Sequence, residues 1–278
     1  AALLAPAAAG HRGRPGRSAG KGRRGEGTYY GLPAYYEGLL PQNFMSMNRQ
    51  GQGDFYFKVE RWHEQVEKGC GRPLGPDEKL LYVVRSGSEV PRDRDASGDA
   101  PLWSLGREQA QNLRYDPMLA RERQQPAELV VSSPARAAVQ TAVLGFGERP
   151  ANATRWLLDP DLLGDYPGEG RPQPALGAQT LRELGRPELL EQYLALPEHW
   201  EAVPDRYDHR WERFLRRLRQ VPERRVVVVS HRKMLEKGLG FKLGEGQVVP
   251  LALDTRGAGA PARWLRRLSP PGCWPSDA

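Results

Sequence analysis

Cysteine is nearly absent: Cys70 and Cys273 are the only two in 278 residues, far apart in the chain. Two distant thiols match no metal spacing and no disulfide framework, so a reducing compartment is the default expectation. Long apolar runs are missing as well. Nothing approaches the roughly 20 residues that a membrane-spanning helix needs, so no membrane partner is expected. Acidic residues are missing from one region in particular, residues 1–25, which hold Arg12, Arg14, Arg17, Lys21, Arg23 and Arg24. Those six cations account for nearly all of the formal charge of +7. The rest of the chain is close to neutral, which removes the main argument for nucleic acid as a partner. An Arg-rich, acid-free leader resembles a disordered tail, an organelle transit peptide or, less readily, a nucleic-acid-binding arm. The expected location is therefore intracellular, cytoplasmic or organellar if the leader is a transit peptide.

What is present is an order of segments. After the leader (residues 1–27) comes an aromatic-rich extension (residues 28–75). There Tyr29, Tyr30, Tyr35, Tyr36, Phe44, Phe55, Tyr56, Phe57 and Trp62 lie among Gly and Pro. Basic residues are sparse between these rings, which favours rings buried on a domain over a base-stacking platform. Phe55, Val59, Trp62 and Val66 have helical spacing and predict a short helix. Residues 76–270 read as one α/β domain, and residues 271–278 as a tail.

Within the domain, short apolar runs alternate with helical patterns. Strands are predicted at Leu80–Val84, Leu129–Ser132, Trp156–Leu158 and Arg225–Ser230, with two closing strands at Val248–Leu253 and Arg263–Leu268. Helices are predicted from Ser104 as N-cap to Leu113, over Ala135–Phe146 and Tyr207–Arg219, and over Lys233–Leu239 closed by Gly240. Trp211, Phe214, Leu215 and Leu218 make one stripe of the Tyr207 helix, and its opposite arginine face reads as solvated. Residues 159–174 read as a loop rich in Pro, Gly and acids. Strands that alternate with helices predict an α/β/α sandwich around a mostly parallel sheet.

Three strands end alike. The first stops in Arg85-Ser86-Gly87, the second in Ser132-Ser133-Pro134-Ala135-Arg136, and the valine run in Ser230-His231. In open α/β sheets the carboxyl ends of strands are where ligands bind. Two guanidinium forks and an imidazole at one sheet edge suit a phosphoryl group or a similar anion. Ser132, Ser133 and Ser230 can add hydroxyls, and the N–H groups that open the following helices can point into the same space. Each cation taken alone has a structural salt bridge as its alternative. Three at the same kind of position argue for a site.

These residues carry a resemblance to the phosphoglycerate-mutase-like group of the histidine phosphatase superfamily. That family has a strand ending in Arg-His-Gly, then a Leu-(Ser/Thr)-x-x-Gly-x-x-Gln-Ala helix start. A Ser-(Ser/Thr)-Pro-x-x-Arg element with Gln-Thr-Ala follows, and a valine run ends in Ser-His. Here the elements read Val84-Arg85-Ser86-Gly87, Trp103-Ser104-Leu105-Gly106-Arg107-Glu108-Gln109-Ala110, Ser132 to Arg136 with Gln140-Thr141-Ala142, and Val229-Ser230-His231, in the family's order. The resemblance implies a metal-free mechanism without a cofactor. A histidine attacks phosphorus, two arginines and a second histidine clamp the oxygens, and a loop carboxylate protonates the leaving group. Arg85, Arg136 and His231 match the clamp.

The departures matter as much. Ser86 stands where the resemblance places the attacking histidine, and Ser88 where a more acidic or polar residue follows the glycine. The loop acid falls at Gly164, with Asp165 or Glu169 as possible substitutes. Arg232 follows the second histidine where the family has a small residue, and can crowd the site or add charge. The expectation is a degenerate phosphatase domain that binds a phosphorylated small molecule or a phosphopeptide with little or no hydrolysis. One alternative is an active phosphomonoesterase that uses His231 as base. The other is a protein-interaction scaffold that uses the aromatic extension.

Overall fold

A computed structural model describes residues 74–91, 94–95, 97–116, 119, 125–148, 154–164, 173–202, 205–256 and 264–268. The leader, the aromatic extension up to residue 73 with its predicted helix, both cysteines, Asp165 and Glu169 lie outside these residues. The elements are β1 (Glu78–Arg85), α1 (Ser104–Asn112), β2 (Leu129–Ser132), α2 (Arg136–Phe146), β3 (Arg155–Leu158), α3 (Pro174–Glu183), α4 (Pro187–Leu194), α5 (Tyr207–Gln220), β4 (Arg225–Ser230), α6 (Arg232–Leu239), β5 (Val248–Asp254) and β6 (Leu265–Arg267). They form one sheet in the order β3-β2-β4-β1-β5-β6. The first four strands in that order run parallel, and β5 and β6 close it antiparallel.

Both faces of the sheet are covered, which explains why its central strands read as unbroken apolar runs. Successive side chains of a strand point to opposite faces. Leu80, Tyr82, Val84, Val130, Val227 and Val229 pack under α2, α3 and α4, with Ala138, Phe146, Leu181, Leu189 and Tyr193 among their neighbours. Leu81, Val83, Leu129, Val131, Val226 and Val228 pack on the other face with Trp211, Phe214, Leu215 and Leu218 of α5 and Met234 and Leu235 of α6. The protein is a three-layer α/β/α sandwich.

Two expectations are corrected and a third is extended. Ser104 is the first helical residue of α1, and Trp103 takes the N-cap place without a side-chain bond, its carbonyl accepting from Arg107 N–H at 2.9 Å. Residues 159–174 hold a 3₁₀ turn at Pro160–Leu162, and the chain then builds two helices, α3 and α4, that composition did not announce. The arginine face of α5 is exposed at Arg213, Arg216 and Arg217, as expected, and it also carries structural ion pairs. Arg213 donates to both oxygens of Asp161 at 2.9 and 2.5 Å, and Arg217 reaches Asp159 at 2.7 Å and Asp161 at 2.6 Å. Arg210 is buried and donates to the Leu163 carbonyl at 2.6 Å. Bidentate pairs of this kind fix geometry as well as energy. They clamp the segment Asp159–Gly164 onto α5 and thereby hold Gly164 at the sheet edge.

Candidate functional site

Strand order brings the three predicted ends together, because β4 lies between β1 and β2. Arg85 is level with Ser230 across the β1–β4 pair, and Ser132 is level with Val229 across β2–β4. The turn after β1 is fixed through its backbone. Ser86 N–H donates to the Ser230 carbonyl at 2.8 Å, and the Ser86 carbonyl accepts from Gly246 N–H at 3.2 Å. Gly87 N–H donates to Thr141 Oγ1 at 3.0 Å, and Ser88 N–H to Gln109 Oε1 at 2.8 Å. Gln140 Oε1 accepts from Leu102 N–H at 2.7 Å. The Gln and Thr residues of the two helix-start motifs therefore buttress loops from behind.

Each cation of the constellation meets a group of the chain itself. Arg85 donates from Nη1 to the Leu243 carbonyl at 2.9 Å and from Nη2 to Glu245 Oε1 at 3.0 Å. Burial lowers the Arg85 pKa from its ordinary value. The Glu245 charge opposes that shift, and the nearby charge of Arg232 adds to it. Arg136 donates from Nε to Thr180 Oγ1 at 3.0 Å and from Nη1 to the Asp99 carbonyl at 3.1 Å, with Asp95 Oδ2 at 3.7 Å. Its own backbone N–H, which opens α2, is taken by Asp99 Oδ1 at 2.9 Å. His231 has Nε2 at 3.0 Å from Ser133 Oγ and Nδ1 at 3.5 Å from Glu89 Oε1. The structural alternative for each arginine thus holds in part, since both are ion-paired.

Two of the three predicted hydroxyls are committed elsewhere. Ser132 Oγ donates to the Ser133 carbonyl at 2.9 Å, and Ser230 Oγ to the Leu162 carbonyl at 2.6 Å. Ser133, the third, faces His231. Ser86 is only 3% exposed, and no described side chain hydrogen-bonds to its hydroxyl. Arg232 is exposed on the first turn of α6, so it adds charge near Arg85 without filling the site. Among the described residues, no three His, Cys, Asp or Glu side chains are grouped to hold a metal ion. No described helix is long and apolar enough to cross a membrane.

Sequence reasoning missed four carboxylates and a threonine here: Glu89, Asp95, Asp99, Glu245 and Thr180. Asp99 is the most unusual. It is 1% exposed, one of its oxygens is buried without a partner, and burial pushes its carboxyl up to about 6. The Arg136 backbone N–H and the charges of Arg136 and His231 work against that shift, while Glu89 reinforces it.

Gly164 explains the placement of His231. A Cβ built on it would lie 2.8 Å from His231 Cβ and 2.9 Å from Cγ, closer than real side chains pack. The bare backbone at this position is what lets the His231 side chain pack directly against it. Gly164→Ala is therefore expected to push His231, Cβ included, away from its place beside Ser133 and to cost about 1–3 kcal/mol through overpacking. Calorimetry and the imidazole NMR signals check this together. An unchanged melting temperature with an unmoved His231 signal would contradict it.

Among solved structures, similar folds include the alpha-ribazole phosphatase from Shigella flexneri, at 23% identity over 68% of this chain and 96% of that one, TM-score 0.41. Another is the ecdysone phosphate phosphatase from Bombix mori in complex with tungstate, at 16% identity over 71% and 94%, TM-score 0.45. A third is the protein histidine phosphatase SixA complexed with tungstate, at 14% identity over 69% and 97%, TM-score 0.41. No curated protein sequence matches the chain. The family assignment rests instead on a sequence model. The one for branch 1 of the histidine phosphatase superfamily matches residues 81–244, more than half of the chain, from within β1 to just beyond α6. The chain belongs to the histidine phosphatase superfamily.

Proposed function

We propose that Arg85, Arg136 and His231 bind the phosphoryl group of a phosphorylated small molecule or a phosphopeptide, and that the chain hydrolyses it slowly or not at all. The observation that carries this reading is Ser86. An imidazole at that position would reach several ångströms further from the backbone than a serine hydroxyl does. A misplacement of about 1 Å already costs roughly 100-fold in rate. Serine also needs a base to become a nucleophile, and the imidazole nearest in the strand order has its Nε2 on Ser133. Gly164 supports the same reading, since the position that would carry the acid has no side chain and is closed by the His231 side chain.

Calorimetric titration of the whole chain with inorganic phosphate and with vanadate tests the binding. Both anions are expected to bind and to raise the melting temperature. Arg85→Ala and Arg136→Ala should each weaken binding by about 10- to 100-fold, the range for a lost charge-assisted contact. Failure of either anion to stabilise the protein would end the proposal. A second reading, slow hydrolysis with His231 as base for a water molecule, has one contact in its favour. Glu89 lies 3.5 Å from His231 Nδ1, and a carboxylate on one ring nitrogen orients an imidazole as a base. Turnover on a phosphomonoester panel that disappears in His231→Ala would decide for it.

A further inference from the structure

Four carboxylates lie against the three cations at this sheet edge. Glu245 sits on Arg85, Asp95 and Asp99 on Arg136, and Glu89 on His231. A pocket meant for a simple phosphate dianion has little reason to surround its clamp with negative charge, because like charges at contact distance repel strongly.

The carboxylates fall into two kinds. Asp95 and Asp99 are built into the loop. Asp95 accepts from Ser97 N–H at 2.8 Å, and Asp99 is 1% exposed behind the start of α2. Glu89 and Glu245 differ, with side chains 45% and 41% exposed. Their backbones are nevertheless pinned. Glu89 pairs with Leu102 in an antiparallel bridge, flanked by Trp103 N–H to the Ser88 carbonyl at 3.0 Å. Glu245 lies between Gly244 and Gly246, whose N–H bonds the Ser86 carbonyl at 3.2 Å. An anion that enters displaces these two carboxylates from Arg85 and His231, yet their backbones keep them at the rim, beside whatever the phosphoryl group is attached to. Asp99, with an unpartnered oxygen within electrostatic reach of Arg136, His231 and Glu89, adds to the negative wall.

Resting on the phosphoryl-binding reading, we infer that the ligand is a phosphomonoester of an amino alcohol, whose cationic nitrogen replaces the Arg85 and His231 contacts of Glu245 and Glu89 when the phosphoryl group takes them. Such a zwitterion satisfies both signs of charge at once. A neutral alcohol phosphate satisfies only the arginines and leaves two displaced carboxylates facing it. Charge complementarity of this kind acts mainly through discrimination against the wrong partner.

Phosphocholine and 3,3-dimethylbutyl phosphate, its carbon isostere without the charge, separate the two cases. Titrated into the whole chain at fixed ionic strength, phosphocholine should bind about tenfold tighter than the isostere, the scale for one partly exposed charge pair. In Glu89→Gln and in Glu245→Gln that preference should shrink, while inorganic phosphate binds tighter than to wild type, which also shows that the variants are folded. Equal binding of the two isosteres by wild type, with inorganic phosphate still bound, would overturn this inference alone. The same holds for a preference that survives in both variants. If neither ester nor inorganic phosphate binds, the phosphoryl-binding reading falls and takes this inference with it.

Discussion

Ser86→His should release phosphate from p-nitrophenyl phosphate and leave an alkyl phosphate nearly untouched, where the wild-type protein releases little or none from either. The substitution supplies the imidazole that the family's mechanism requires on a turn that is already fixed. Ser86 N–H is held by the Ser230 carbonyl and Gly87 N–H by Thr141 Oγ1, so the new side chain starts from a defined backbone. It cannot supply the acid. At Gly164 the nearest atoms to an added side chain belong to the His231 side chain, Cβ first, and general acid catalysis contributes about 10²- to 10⁴-fold where the leaving group is poor. A nitrophenolate leaves without a proton, and an alkoxide does not. Aryl turnover by the variant should therefore exceed alkyl turnover by at least about 100-fold. Single-turnover and steady-state phosphate release by both proteins on both substrates make the comparison. Aryl turnover by the wild type as fast as by the variant would show that Ser86 is not where catalysis was lost. Fast alkyl turnover by the variant would show that a proton donor reaches the site from elsewhere.

The parts of the fold that could be read from the sequence are those where one physical cause dominates. β2 and β4 have the predicted bounds because sheet strands covered on both faces are apolar throughout and stop at the first serine pair or histidine. β1 starts two residues earlier than expected. Glu78 and Lys79 are polar yet buried, Glu78 paired with Arg266 at 2.7 Å and Lys79 donating to the Val221 carbonyl. Those partners are more than 140 residues away, so no local pattern signals them. α3 and α4 carry no clear signal in the sequence, because each begins at a proline that local composition alone reads as a breaker. Pro174 and Pro187 in fact stand in the first turns of their helices, where a missing N–H costs nothing. The α5 arginines are exposed as expected, but their ion pairs could not be read because the counter-charges, Asp159 and Asp161, belong to a distant segment. The candidate site divides in the same way. Its cations were visible because each ends a strand or opens a helix, while Glu89, Asp99 and Glu245 sit in connections whose path only the tertiary structure sets.

Asp99 gives the largest expected effect on stability. Burial raises its carboxyl from an ordinary 3.8 to about 6, so the folded protein takes up this proton before the unfolded chain does. Folding is therefore favoured as pH falls through about 6 towards about 4, and the cost of the buried charge is complete above that window. The difference amounts to roughly 3 kcal/mol, or about 5–10 °C in melting temperature for a domain of this size. Asp159 is also raised, by burial against the opposing charge of Arg217, so it adds to the same trend. Asp161 goes the other way. Burial there is outweighed by the hydrogen bonds from Arg213 and Arg217, and its contribution is lost only on acidification below the ordinary carboxylate range. Asp99→Asn should thus keep the bond to Arg136 N–H, raise the melting temperature at about pH 7.5, and flatten most of the rise that the wild type shows on acidification to about pH 5. Calorimetry at the two pH values, on both proteins, measures it, and parallel pH profiles would refute the assignment. The same variant bears on the site. Removing this negative charge beside Arg136 and His231 should tighten inorganic phosphate binding at about pH 7.5, and do so less at about pH 5, where the wild-type Asp99 is already largely neutral. A charge that costs stability in every ligand-free molecule persists in a fold most readily when what it faces is itself charged.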